Sequence, residues 1–243
     1  MLIINADDWG RSPEETDAAL VCYHAGRVSS VSAMVFMEDS ERAAAVAMAE
    51  GIPVGLHLNL CEPMSRAATP EHVFALQAAV ARFLNRSRFA LLFYHPGLRR
   101  AFHETYNAQV DEFRRLYGRP PTHVDGHRHR HLATNMLLDG VIPRNTKIRR
   151  GFYFWPGEKS YFNRAYRTAI DKWLTKRYRT TDFFFALSQC LDESRLGKVL
   201  QLANTYQVEL MVHPVKDSER SRLLEPTFGK QTAQITTGSY QQV

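Results

Sequence analysis

The chain is 243 residues long, 44% apolar and 23% charged, which fits one globular α/β domain and excludes a disordered chain, a collagen and a coiled coil. Its 31 basic and 25 acidic residues leave a net charge of +6, but the arginines stand in scattered pairs such as Arg99-Arg100 and Arg149-Arg150, so their arrangement asks for no nucleic acid. Cys22, Cys61 and Cys190 are far apart and read as reduced thiols of a cytoplasmic protein; the start lacks the basic and apolar regions of a secretory leader, and no apolar run reaches the roughly 18 residues of a membrane span.

From the first residue to about residue 214, short β-branched or aromatic runs alternate with stretches of helical period. The first strand is read over 2–5. A loop holding Asp7-Asp8-Trp9-Gly10 follows, then a helix that begins at Ser12, with Pro13 in first position and Glu15 completing a capping box. Further strands are read over 28–36, 54–60, 122–125, 147–152, 181–187 and 208–212, which makes seven. Helices are read over 40–50, where Gly51 can supply a left-handed cap, over 161–178 and over 194–206. Between them, residues 62–118 carry two helical patterns, 71–85 and 98–117, and read as an insertion or lid on a single domain spanning 1–243. Strands alternating with helices predict a mostly parallel sheet, because each right-handed crossover returns the chain in the same direction. The polar stretch over 215–243 carries no assignable element.

Chemistry concentrates at the ends of the predicted strands. Adjacent carboxylates repel one another unless a cation or proton joins them, so Asp7-Asp8 points to a metal ligand beside a general base, with an Asx turn as the plainer reading. His57 lies in an apolar run and needs a buried partner; Gly55 two residues earlier admits a close approach. Residues 121–131, Pro-Thr-His-Val-Asp-Gly-His-Arg-His-Arg-His, place four of the ten histidines within nine residues. Imidazole is both a common metal ligand and a proton carrier, and Asp125 could orient a ring from behind. His213 ends the seventh strand before Pro214. Asp7, Asp8, His57, His127, Arg149 and His213 thus share the C-terminal rim, where parallel α/β barrels assemble their sites. A carboxylate and two imidazoles leave open positions for water, as metal-assisted hydrolysis requires.

Four motifs in this order, Asn-Ala-Asp-Asp-Trp-Gly at 5–10, Gly-Leu-His-Leu at 55–58, the histidine-rich 121–131 and Val-His-Pro at 212–214, resemble the YdjC-like carbohydrate deacetylases, relatives of the polysaccharide deacetylases. The resemblance covers residues 1–215. It implies a distorted (β/α) barrel, a homodimer, and a divalent metal that assists removal of an acetyl group from an N-acetylated sugar. By the same resemblance Asp8, His57 and His127 are the metal ligands, Asp7 the general base, His213 the candidate general acid, and Arg149 the residue that holds the base or the substrate. It implies magnesium, whereas two imidazoles and a carboxylate favour zinc or another transition ion.

On that reading the metal activates water and carbonyl, Asp7 takes the proton from the attacking water, and His213 or a histidine of the 123–131 cluster protonates the leaving amine. Two other readings stand beside it. A metal-dependent phosphoesterase would use the same rim and suit the +6 charge, and a non-enzymatic nucleic-acid or metal-binding module would use the Arg/His-rich 127–131 segment.

Overall fold

The computed structural model describes residues 1–243, the side chain of Phe162 aside. Strands β1 (Leu2–Trp9), β2 (Ser30–Ala33), β3 (Val54–Leu58), β4 (Val124–Gly126), β5 (Phe183–Ala186) and β6 (Val208–Val212) form one all-parallel sheet in the order β4-β3-β2-β1-β6-β5. The sheet curls into a half-barrel. Its outer face is covered by helices that include α1 (Pro13–His24), α2 (Ser40–Ala49), α3 (Glu71–Leu84) and α4 (Arg99–Tyr117), and further along the chain come α5 (Thr134–Leu138), α6 (Tyr161–Thr175) and α7 (Glu193–Ala203). No helix among the described residues is long and apolar enough to cross a membrane.

The alternation of side chains along each strand sorts the residues into two environments. Leu2, Ile4, Ala6, Leu56, Leu58 and Leu210 join the main apolar core with residues of the surrounding helices. Asn5, Asp7, Ser32, His57, Asp125 and Glu209 point the other way, into the barrel interior, and all are buried. Helix α4, from the 62–118 segment, places Phe102, Phe113 and Leu116 in the same apolar core and packs on α2, α3 and β3.

The start of α1 follows its predicted signals in part. Ser12 caps the helix by accepting from the Glu15 N–H, and Pro13 occupies the first turn. The Glu15 carboxylate does not complete a capping box, because Arg11 draws it off at 2.9 Å. Gly51 takes the left-handed conformation at φ 67° just past α2.

The expectation of seven strands is corrected to six among the described residues: 147–152 is not a strand. Ile148 bridges Val124 and Lys147 bridges Arg179, each as an isolated pair, while the Tyr153 N–H donates to Phe184 O. Strand β4 ends at Gly126, where the backbone turns into the histidine-rich 3-10 segment, so no edge remains for a longer ladder. The distorted barrel of about seven parallel strands is therefore found as a six-strand half-barrel with a loosely bridged gap.

The tail is ordered structure. It forms α8 (Asp217–Leu224), α9 (Pro226–Thr232) and a final 3-10 turn at Tyr240–Gln242. Thr237 bridges Leu2 beside the first strand, and the Lys147 ammonium donates to the carbonyls of Tyr240 and Gln241 at 2.6 and 2.9 Å. The last residues thereby lie beneath the N-terminal ends of the strands, where Tyr240 and Val243 pack on Ile3.

Candidate active site

Adjacent residues of a regular strand face opposite sides of a sheet, so Asp7 and Asp8 could not share a site on an undistorted β1. The strand runs on to Trp9, past the end at Asn5 that the sequence suggests, and it bulges. Ala6 pairs with Val31 but Trp9 with Ala33, three residues of β1 against two of β2, and Asp8 takes up the extra residue in the left-handed conformation at φ 66°. Aspartate is among the few non-glycine residues that enter this region readily. The bulge turns both carboxylates toward the interior, each 3% exposed.

Asp8 meets two imidazoles. Its Oδ1 lies 2.8 Å from His127 Nδ1 and 3.3 Å from His57 Nε2. Burial opposes ionisation of this carboxyl, but its contacts with His127 and His57 prevail and hold it well below the usual carboxylate range. His57 is oriented from behind: its Nδ1 lies 2.8 Å from Asp125 Oδ1, which leaves Nε2 for Asp8. Burial works against a charged His57, yet Asp125 and Asp7 outweigh it and raise its pKa well above the ordinary value. His127 has Glu62 Oε1 3.0 Å from its Nε2, off the line of a hydrogen bond. One ligand atom from each of Asp8, His57 and His127 fits within 4.8 Å of the others, a span that a single cation's ligands can occupy, and all three residues are buried. One carboxylate oxygen with two imidazole nitrogens is a donor set suited to a divalent ion.

Asp7 has a different partner. The Arg149 guanidinium grips it end-on, Nη1 to Oδ2 and Nη2 to Oδ1, both at 2.7 Å, and Asn5 Nδ2 donates to Oδ1 at 3.0 Å. The same guanidinium donates from Nε to Glu209 Oε1 at 2.9 Å, and its Nη2 lies 2.7 Å from Asp125 Oδ2. Burial disfavours the charge on Arg149, but Asp125, Asp7 and Glu209 together raise its pKa well above the ordinary value. The interior is thus a buried ionic network whose one arginine serves three carboxylates. Its geometry is directional, because each of those groups would be costly to leave unpaired.

His213 stands at the end of β6 with Nε2 3.9 Å from Asp8 Oδ2, and its backbone N–H donates to Glu219 of α8 at 2.8 Å. Burial pushes its pKa down, against the opposing pull of Asp7 and Asp8. Beyond His127, Arg128 and His129 both adopt left-handed backbone at φ 52° and 57°. They line a cavity of about 340 Å³ that also receives Phe89, Phe152 and Tyr166. Gly55 admits the ring it makes room for, since a Cβ there would lie 2.2 Å from His123 Cε1.

All six rim residues singled out in the sequence, Asp7, Asp8, His57, His127, Arg149 and His213, fall in this one cluster. Sequence reasoning missed Glu62, Glu209 and Tyr240. Glu209 is the only acidic residue inside the sixth strand, between Val208 and Leu210, and that placement in an apolar run was a readable signal. Nothing local marked the other two.

The family model described as YdjC-like protein matches residues 1–241. A carbohydrate deacetylase of Mus musculus is 30% identical over 240 residues, covering 88% of this chain and 77% of its own. One of Homo sapiens is 30% identical over 247 residues, covering 88% and 74%. A chitooligosaccharide deacetylase of Serratia marcescens is 34% identical over 133 residues, 54% of this chain and 51% of its own. In three dimensions the chain is similar, at a TM-score of 0.66, to a crystal structure from Enterococcus faecalis V583 of a candidate cellobiose-phosphate cleavage protein. That likeness covers 99% of this chain and 97% of the other at 18% identity, and it concerns the fold alone.

Proposed function

The chain belongs to the YdjC-like family, and from that premise we propose that it is a carbohydrate deacetylase, a hydrolase that removes the acetyl group from an N-acetylated sugar with the help of a divalent metal. The observation that carries the reading is the unequal partnering of two adjacent carboxylates. Asp8 faces two imidazoles, as a ligand does, while Asp7 is held by a guanidinium, as a positioned base is.

Asp8, His57 and His127 would hold the metal, which supplies Lewis acidity toward the amide carbonyl and the attacking water. Asp7 accepts the proton of that water. Arg149 occupies both Asp7 oxygens from one side, which fixes the carboxylate plane and keeps the base from collapsing onto the cation site. His213, close to Asp8 and partly open, delivers a proton to the departing nitrogen, without which an amine is a very poor leaving group. Burial lowers its pKa and so makes its protonated form the stronger acid. The sugar lies along the cavity beside His129, where Phe89, Phe152 and Tyr166 offer ring faces for stacking.

Magnesium is the ion the family suggests, and zinc the ion that two imidazoles favour. Acetate release from a panel of N-acetylated mono- and oligosaccharides, with metal-stripped protein refilled by magnesium or zinc, tests the reaction and the ion together. Activity restored by one ion and abolished in His57→Ala, with metal binding lost, is the expected outcome. Full activity in the stripped protein would sink the reading.

A further inference from the structure

The barrel interior continues below Arg149 to the other end of the sheet, and its last member comes from the tail. Glu209 accepts from Arg149 Nε through Oε1 and from the Tyr240 hydroxyl through Oε2, at 2.9 and 2.5 Å. Glu209, Arg149 and Tyr240 are each 0% exposed. The Tyr240 ring stacks on His123 with centroids 3.9 Å apart and planes 12° from parallel. Its backbone is fixed from outside by the capping box between Ser239 and Gln242 and by the Lys147 ammonium. A carboxylate with one oxygen on an arginine and the other on a hydroxyl has no freedom to rotate.

We propose that Tyr240 is a positioning residue for the reaction: its hydroxyl, reaching up from the C-terminal tail, locks Glu209, Glu209 locks the Arg149 guanidinium, and Arg149 sets where the Asp7 carboxylate stands. The inference rests on the reading of Asp7 as the base. A buried carboxylate left with one free oxygen turns or takes up a proton, and Arg149 then loses the contact that holds its Nε edge. The fork that grips Asp7 is the other end of the same rigid plane, so a tilt at Nε is transmitted to both Asp7 oxygens. Tyr240 touches neither Asp7 nor the candidate metal ligands, so its effect passes through orientation alone.

Tyr240→Phe removes the hydroxyl while keeping the ring on His123 and Ile3, and far-ultraviolet circular dichroism gives its folded fraction beside the kinetics. The expected result is a kcat lower on the order of tenfold, with KM and metal affinity each within about twofold of the parent. Because Tyr240 acts through Glu209, the double variant Tyr240→Phe/Glu209→Gln is no slower than Glu209→Gln alone. An unchanged kcat in an active enzyme, additive losses in the double variant, or a loss that tracks the folded fraction overturns the proposal. If the parent protein releases acetate from no sugar, the deacetylase reading falls separately. The lock is then judged by nuclear magnetic resonance on protein carrying 15N-arginine. The Arg149 Nε–H signal, identified by its disappearance in Arg149→Lys, shifts in Tyr240→Phe if the lock exists, and an unmoved signal overturns it.

Discussion

On β3, Leu56 and Leu58 face the helices while His57 between them faces the interior; on β6, Val208 and Leu210 flank Glu209 in the same way. One sheet therefore carries two kinds of order. The helix-facing side is held by apolar burial, which is non-directional and forgiving of exchange among residues of similar volume. The inner side holds Asp125, Glu209 and Arg149 fully buried and Asp7 3% exposed at its upper end, and each charge is tolerable only because a specific partner stands at a specific distance. The outer face supplies stability, and the inner face uses that stability to hold an arrangement the chain would not otherwise adopt.

Substitutions on the two faces should separate accordingly. The largest effect belongs to Asp7→Asn, which is expected to lower acetate-release kcat by roughly 10²–10⁴-fold while metal binding persists, measured by steady-state kinetics beside calorimetric metal titration. Comparable activity in this variant would show that the inner face does not supply the base. Leu56→Ala, on the outer face and 0% exposed, should cost about 2–5 kcal/mol in urea unfolding yet leave metal affinity as it was. A changed metal affinity there would mean that the two faces are not separable.

Acid probes the inner face through His131, which is fully buried and lies 3.0 Å by its Nε2 from the Arg149 carbonyl. Burial pushes its pKa down to about 4 from an ordinary value of 6.5. The unfolded chain therefore takes up the proton first. Stability from this group is complete above pH 6.5 and is lost as the pH falls toward 4, on the order of 2–3 kcal/mol by pH 4.5. Comparing urea unfolding at pH 7 and pH 4.5 for the parent and for His131→Gln checks this, since the variant should show a shallower loss. The smallest effect is expected outside both faces: Ser12→Ala removes the cap of α1 for about 1 kcal/mol with kcat unchanged.

Much of this was legible in the sequence because it is local. The sixth strand is found at Val208–Val212 as its pattern predicts, since a run of Val, Leu and Met bounded by a His-Pro step has few other conformations. The start of α1 was readable because a cap is a matter of three or four neighbouring residues. The four motifs that carry the family resemblance are also contiguous, which is why they could be recognised without coordinates. Residues 147–152 look as strand-like as the rest, but pairing needs an edge, and the length of β4 is not written in them. The polar tail gave no periodic signal, although its helices fold onto the barrel and place Leu223, Phe228 and Tyr240 in buried positions.

What the sequence by itself determined, then, was composition, class, the order of the six strands and most of the helices between them but neither the fate of 147–152 nor the helices of the tail, and which residue types would gather at one rim. Tertiary structure alone decided how those residues are partnered. The bulge that turns Asp8 to the same side as Asp7 exists only because β2 offers two residues against three. Arg149 reaches Asp7 across 142 positions of chain, and Tyr240 reaches Glu209 across 31. Partner choice in a buried ionic network depends on distances among strands that the chain's linear order does not encode, and a hydrogen bond at 2.7 Å tolerates no such ignorance.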